Sequence, residues 1–337
     1  MDDDLRAVAV VGAGSIGASF AVLFGSSGMT VRVWDVDETV FPRCGADVDL
    51  RLSMLAEHDL LNEPIRDIRA RISFHSSLTN AVRGANLVQE CAPESLQLKK
   101  ELFAELVTVT EEHTVLASSS SAIVPSAYSA GLKAGHRILG AHPGNPPHLL
   151  RVIELVPSPA TSTDTLARAE TLYRAAGLKP VVVRREIEGF LFNRLQGALL
   201  REAYCLLRDG IASVEDIDEV VRSGLGKRWS VVGPFETVDL NTRGGIAAHA
   251  ERMGPAYERM GAERGQRDPW TRELIAQATD QRRALLPLEQ WAERVAWRDE
   301  QLMHQLASSN DSPRGTERAR KGAPTGHQSH QRLPHLP

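Results

Sequence analysis

Residues Ala7–Val11 (AVAVV) run without a break into Gly12-Ala13-Gly14-Ser15-Ile16-Gly17, and a helix-like stretch follows to about Gly28. A short, continuous apolar run of this kind suits a strand buried on both faces of a parallel sheet. A G-x-G-x-x-G by itself is a weak signal, but between a strand and a helix each glycine acquires a task. Gly12 permits the tight turn, Gly14 lets the backbone approach a pyrophosphate, and Gly17 lets helix and strand close on each other. The amides of Ser15 and Ile16 fall at a helix N-terminus, where unpaired N–H groups and the helix dipole favour a phosphate. The next strand, Val31–Trp34, ends at Asp35, 18 residues after Gly17. A carboxylate there accepts hydrogen bonds from ribose hydroxyls and repels a 2′-phosphate, so the expected cofactor is NAD rather than NADP.

Further strand-like runs follow at Arg71–Phe74, Leu87–Glu90, Val115–Ala117, Ile138–Ala141, Val152–Val156 and Pro180–Val183. Ser95 reads as the N-cap of a helix over Leu96–Val109. Alternation of strand and helix means a doubly wound α/β sheet of the Rossmann type. Residues 38–70 interrupt it with helix-like sequence, expected as two helices in antiparallel contact. From Glu186 the pattern becomes helical: Phe190-Leu191, Leu195, Leu199-Leu200 and Leu206-Leu207 share one apolar helix face. Gly210 would end that helix, and Ser213 with Asp216 would open the next. The expected organisation is therefore a Rossmann-type domain at 1–184 and an all-α domain at 185–306. A tail at 307–337, rich in Ser, Pro, Gly, His, Gln and Arg, cannot bury enough area to offset chain entropy and is expected to be disordered.

Charge narrows the function classes. The 337 residues carry a net −4, made of a tail at +3 and a remainder at −7, which argues against nucleic acid as a partner. The basic residues are 33 Arg against 6 Lys, and most of that excess reads as surface composition. Cys44, Cys91 and Cys205 are odd in number and widely spaced, so reduced thiols are expected rather than disulfides or a metal site. His327, His330 and His335 match no ligand spacing either, and no metal is expected. No apolar run approaches a membrane span, and the acidic start Met1-Asp2-Asp3-Asp4 is unlike a signal peptide, so a cytoplasmic protein without a membrane partner is expected.

Three polar features stand just beyond strands, where open α/β sheets bind ligands. They are Ser118-Ser119-Ser120-Ser121, His142-Pro143-Gly144-Asn145-Pro146-Pro147, and Glu154 within the apolar run Val152–Val156. A carboxylate flanked by aliphatic residues is costly to bury unless it is paired. His142 becomes its partner if the two strands lie side by side. An imidazole can take an alcohol proton as hydride leaves, while the carboxylate fixes its tautomer. No G-x-S-x-G elbow is present, so the serine run is not a hydrolase nucleophile.

These ordered motifs resemble the 3-hydroxyacyl-CoA dehydrogenase superfamily over about residues 7–300, and within it the lambda-crystallin / L-gulonate 3-dehydrogenase branch. The resemblance implies His142 and Glu154 as the catalytic pair and Ser121 as the serine that hydrogen-bonds the substrate oxygen. It implies that Asn193, in Gly189-Phe190-Leu191-Phe192-Asn193-Arg194, helps hold substrate and nicotinamide. It makes Glu94 and Lys99, in Pro93-Glu94-Ser95-Leu96-Gln97-Leu98-Lys99, cofactor contacts near the nicotinamide-side ribose. Acyl-CoA members tend to have His-Phe-Phe-Asn-Pro, whereas this chain has HPGNPP, closer to the gulonate branch, with Gly144 in place of a larger apolar residue. Arg228, in Gly226-Lys227-Arg228-Trp229, matches an arginine suited to a substrate carboxylate. The resemblance also implies a homodimer through the helical domain.

The expected activity is NAD-dependent oxidation of the 3-hydroxyl of a small, L-gulonate-like hydroxycarboxylate. A short-chain 3-hydroxyacyl-CoA or carnitine-type substrate is the alternative within the same chemistry. A CoA thioester needs cations for its 3′-phosphate, and the insertion offers Arg43, Arg51, Arg66, Arg69 and Arg71 but no lysine. The alternative of another class is a non-catalytic nucleotide-binding or structural protein, against which the intact set Ser121, His142, Glu154 and Asn193 argues.

Overall fold

A computed structural model of the chain describes residues 7–230, 233–241, 245–265, 287–290, 296–297 and 303–304, with 273, 284, 293 and 300 as single positions. The expected tail at 307–337 lies outside the described residues. Eight strands, β1 Ala7–Val11, β2 Thr30–Trp34, β3 Ile72–His75, β4 Leu87–Glu90, β5 Val115–Ser118, β6 Ile138–Pro143, β7 Val152–Pro157 and β8 Lys179–Val182, form one sheet. Their order is β3-β2-β1-β4-β5-β6-β7-β8, with every pairing parallel except β6 with β7. Each expected strand is present, displaced by a residue or two at most.

Burial follows sheet position. β4, β5 and β6 are buried at every residue, as both faces of a central parallel strand are covered, whereas β8 at one edge is not buried at any. On β1 the two faces feed separate cores. Val8 and Val10 join the cluster of Phe20, Phe24, Leu52 and Leu55, while Ala9 and Val11 join that of Leu102, Phe103 and Leu106.

In chain order the helices of this half are α1 Ser15–Ser26, α2 Phe41–Glu57, α3 Ile65–Ala70, α4 Leu78–Val82, α5 Leu96–Val109, α6 Pro125–Ser129 and α7 Thr163–Ala175. α2 and α3 are the two helices expected in the insertion. Ser95 caps α5 as expected, its hydroxyl accepting the Leu98 amide at 3.4 Å. All three cysteines are free, and burial pushes the Cys44 thiol up to about 11, which leaves it unreactive.

Beyond β8 the described elements are helical: α8 Phe192–Arg208, α9 Val214–Glu219, a π-helical turn Val220–Leu225, α10 Gly226–Trp229, α11 Pro234–Asn241 and α12 Gly245–Arg264. Gly210, at φ +68°, turns the chain after α8, and Ser213 with Asp216 forms a reciprocal capping box on α9. Among the described residues no helix is long and apolar enough to cross a membrane.

Candidate active site

The strand order reverses direction between β1 and β4, and the glycine loop sits above that crevice. Gly12 adopts φ +113°, and a Cβ there would stand 2.7 Å from the Cys91 carbonyl carbon and oxygen. A Cβ on Gly17 would stand 1.9 Å from the Gly12 oxygen, so neither position admits a side chain. Gly14 differs, since nothing lies within 4 Å of where its Cβ would be. That open side borders a groove of about 520 Å³ lined by Gly12, Gly14, Ser15, Ile16, Asp35 and Cys91, among others. An open glycine, helix-terminal amides and a carboxylate in one groove of ligand size fit a dinucleotide.

Asp35 is tied to this loop. Its Oδ2 accepts the Ala13 amide at 2.7 Å and its Oδ1 the Asp37 amide at 3.0 Å. A carboxylate has about four acceptor positions, so about two remain for ribose hydroxyls. Arg51, on α2, donates to the Ser15 carbonyl and the Ser19 hydroxyl at 2.8 Å each, and to the Ser15 hydroxyl at 2.9 Å. The insertion therefore braces the first turn of α1, a role the sequence did not reveal.

β6 and β7 run antiparallel with His142 directly opposite Glu154. The imidazole Nδ1 lies 2.7 Å from Glu154 Oε2, with the two side chains 10% and 4% exposed. Burial strengthens such a pair by excluding competing water. The other carboxylate oxygen, Oε1, accepts the backbone amides of Leu191 at 2.6 Å and Phe192 at 3.0 Å. Glu154 thus joins the imidazole to the chain entering α8.

Phe190 directs that entry. It is fully buried at φ +48°, a conformation costing a bulky side chain on the order of 1–3 kcal/mol unless packing holds it. The packing is with Val156 and Val183, and the rings of Phe190 and Phe192 stand 5.8 and 6.0 Å from the imidazole. Asn193 sits in the first turn of α8 and donates from Nδ2 to the Ser121 carbonyl at 2.7 Å, which links the helical half to the serine loop.

Beneath that loop lies a network the sequence did not reveal. Glu90 and Lys99 are both fully buried, with the ammonium 2.9 Å from Oε1 and 2.8 Å from Oε2. Glu90 also accepts the Ala92 amide at 2.7 Å and the Ser118 hydroxyl. Lys99 reaches Glu94 at 3.7 Å. Glu94 Oε1 in turn accepts the Ser120 hydroxyl at 2.6 Å and the Ser121 and Ala122 amides at 3.1 Å. Burial opposes ionisation of Glu94, but the Ser120 hydroxyl, Lys99 and the Ala122 and Ile123 amides outweigh it and hold the carboxyl below its ordinary range. Glu94 and Lys99 were expected near the cofactor, but their link through Glu90, a glutamate ending the run Leu87–Glu90, was not.

Arg228 stands apart. It is exposed on α10, and no hydrogen bond or ion pair among the described residues joins it to Ser121, His142 or Glu154. Gly144 does not widen the site. A Cβ there would lie 2.9 Å from Leu150 Cβ and 3.1 Å from Val152 Cγ1, so those residues already fill the space of a larger side chain. Gly144→Ala is expected to destabilise the protein by about 1–3 kcal/mol. An unchanged unfolding midpoint would show that the backbone there yields freely.

Comparison with known proteins agrees with this geometry. Residues 7–187 match the family described as 3-hydroxyacyl-CoA dehydrogenase, NAD binding domain, and residues 189–285 match 3-hydroxyacyl-CoA dehydrogenase, C-terminal domain. The chain belongs to the 3-hydroxyacyl-CoA dehydrogenase family. It is 38% identical to a lambda-crystallin homolog of Bos taurus over 89% of this chain and 96% of that one. It is 33% identical to an L-carnitine dehydrogenase of Oceanobacillus iheyensis, over 82% and 87% respectively. A solved 5-formyl-3-hydroxy-2-methylpyridine 4-carboxylic acid 5-dehydrogenase, an NAD+-dependent dismutase, superposes with a TM-score of 0.78 at 25% identity, covering 91% of this chain and 99% of that one. As a member of the 3-hydroxyacyl-CoA dehydrogenase family, the chain is an NAD-dependent oxidoreductase with a Rossmann-type sheet and a helical C-terminal domain.

Proposed function

We propose that this family member oxidises the 3-hydroxyl of a small hydroxycarboxylate, L-gulonate-like, to the 3-keto acid, with His142 as general base. The observation that carries the reading is the buried 2.7 Å pair of His142 and Glu154, held in register across β6 and β7. Glu154 engages Nδ1 and leaves Nε2 to accept the substrate hydroxyl proton, and its negative charge stabilises the imidazolium that results. Ser121 hydrogen-bonds the same substrate oxygen. Asn193 uses its amide nitrogen on the serine loop, so its carbonyl oxygen is the atom assigned to substrate and nicotinamide.

Gly12, Gly14, Ser15, Ile16 and Gly17 shape the pyrophosphate site, and Asp35 takes the adenosine ribose. NAD+, when bound, supplies the hydride acceptor. Glu94 is assigned to the nicotinamide-side ribose. Lys99, expected as a cofactor contact itself, is fully buried on Glu90 and so serves that contact only through Glu94, 3.7 Å away.

A free acid is favoured over a CoA thioester by the fate of the insertion arginines. Arg51 holds Ser15 and Ser19, Arg69 holds Asp49, and Arg71 holds Glu63, which commits three of the five cations to internal partners. Relatives carry names of both kinds, L-carnitine dehydrogenase and 3-hydroxyacyl-CoA dehydrogenase, so the choice rests on the arginines. Arg228 is assigned to the substrate carboxylate, its guanidinium offering a two-pronged donor.

The test is a panel of free hydroxy acids, carnitine and 3-hydroxyacyl-CoAs followed by NADH absorbance, with Arg228→Ala alongside. A free hydroxy acid should turn over with the highest kcat/KM, and the variant should raise KM for it without a comparable fall in kcat. Preference for a CoA thioester, or an unchanged KM in the variant, would overturn the assignment.

The homodimer is also part of the proposal. Leu195, Ile211 and Phe235 are 67%, 68% and 79% exposed on the helical half, apolar surface that a second copy would cover. Sedimentation at micromolar concentration should give a dimer, and a monomer would reject it.

A further inference from the structure

The end of α2 meets a helical stretch from much later in the chain. His58 follows α2 at its C-cap, where the backbone leaves the helix. Glu300 and His304 are each helical. One ligand atom from each of His58, Glu300 and His304 lies within 4.8 Å of the other two. The two imidazole rings meet edge to face, with centroids 4.4 Å apart and planes at 86°. Beside them is a cavity of about 380 Å³ whose lining includes Glu57, His58, Glu293 and Glu300. Three carboxylates among the described lining residues favour a positive ligand.

The backbone that carries these groups is held independently of any ion. Met303, next to His304, is 2% exposed and belongs to the same apolar cluster as Leu52 and Leu55 of α2, with Met54 packed against it. Burial of Met303 therefore holds its neighbour His304 against the same core as α2 without an ion.

We propose that His58, Glu300 and His304 bind a divalent transition-metal ion, zinc by preference, which clips Glu300 and His304 to the end of α2. Two imidazoles and one carboxylate form a borderline-soft set that selects zinc-like ions over calcium or magnesium. Ligand bonds of about 2.0–2.2 Å at tetrahedral angles bring donor atoms to roughly 3.3 Å from one another. The present spacing, within 4.8 Å, shortens to that value when the ion binds. Water would fill the fourth position. α2 also carries Arg51, about two turns before His58, which braces Ser15 and Ser19 at the phosphate loop. The ion would thus anchor the far end of the helix that supports the cofactor groove.

The experiment is titration of tag-free, full-length protein with ZnCl2 by calorimetry, together with visible spectroscopy of Co2+ added to the same protein. One equivalent should bind, with the intense visible bands of four-coordinate Co2+. The double variant His58→Gln/His304→Gln should lose at least about 10–100-fold in affinity, the range already seen for changes outside the ligand set. A variant with His327, His330 and His335 all replaced by Gln should titrate like the wild type. Absence of a one-equivalent site, survival of binding in the double variant, or its loss in the tail variant would each overturn the proposal. Should the double variant fail to fold, Glu300→Gln, an exposed change, and the Co2+ spectrum of the wild type decide the matter. A wild-type spectrum of six-coordinate, aquo-like Co2+ rejects the site.

Discussion

Replacing His142 with glutamine is expected to slow turnover by about 10²–10⁴-fold, the usual contribution of a positioned general base. That corresponds to roughly 3–5 kcal/mol on the barrier at 1.36 kcal/mol per tenfold. Glutamine can keep a hydrogen bond to Glu154 and fills much of the same space, but it accepts no proton near neutral pH. The loss should therefore be chemical rather than structural. Affinity for NAD should persist, because the groove lining the glycine loop does not include His142. The measurements are kcat by NADH absorbance and NAD binding by calorimetry on the same preparation. Near-normal turnover would remove His142 from the reaction. Loss of turnover together with loss of NAD binding would instead mean that the imidazole, wedged against Phe190 and Phe192, holds the junction between the two halves.

Lys99→Met, on α5, should be strongly destabilising. The ammonium and the Glu90 carboxylate are both fully buried, so the variant leaves a carboxylate in the core with only the Ala92 amide and the Ser118 hydroxyl as donors. Breaking one side of a buried pair costs about 3–5 kcal/mol, whereas replacing both sides with apolar groups is often close to neutral. The double variant Glu90→Leu/Lys99→Met should therefore recover much of the loss. Urea denaturation of the wild type, both single variants and the double variant gives the coupling. A loss below about 1 kcal/mol for Lys99→Met would show that the pair contributes little to stability. In that variant Glu94 also loses its nearest cation, so weaker NAD binding should accompany the loss of stability.

The parts of the fold legible in the sequence are those set by local physics. Ala7–Val11 reads as a buried strand because its apolar run is continuous, and Gly12 and Gly17 read as obligatory because a Cβ at either would collide with backbone. Ser95, Gly210 and the Ser213–Asp216 box mark helix ends through side-chain and backbone preferences that act within a few residues. His142 and Glu154 were legible as a conditional pair, since each follows or lies within a strand but only adjacency makes them partners. Glu90, Arg51 and Phe190 were not legible. Glu90 resembles any strand-ending acid until Lys99 arrives from α5, and Arg51 any surface arginine until α2 lies across α1. Phe190 resembles an ordinary helix-entry aromatic until its left-handed backbone is seen.

By itself, the sequence determined the nucleotide-binding half, its preference for NAD and the change to helices after the last strand. Strand periodicity, glycine sterics and the charge of Asp35 are properties of short segments that survive any packing. Tertiary structure decided which side chains meet. The antiparallel register of β6 and β7 pairs His142 with Glu154, the descent of α5 onto β4 buries Lys99 on Glu90, and the fold brings His58, at the end of α2, to Glu300 and His304. Each of these contacts joins elements whose own sequences are satisfied without it. Only the shared burial of apolar faces, which is non-directional and acts at any sequence separation, selects them.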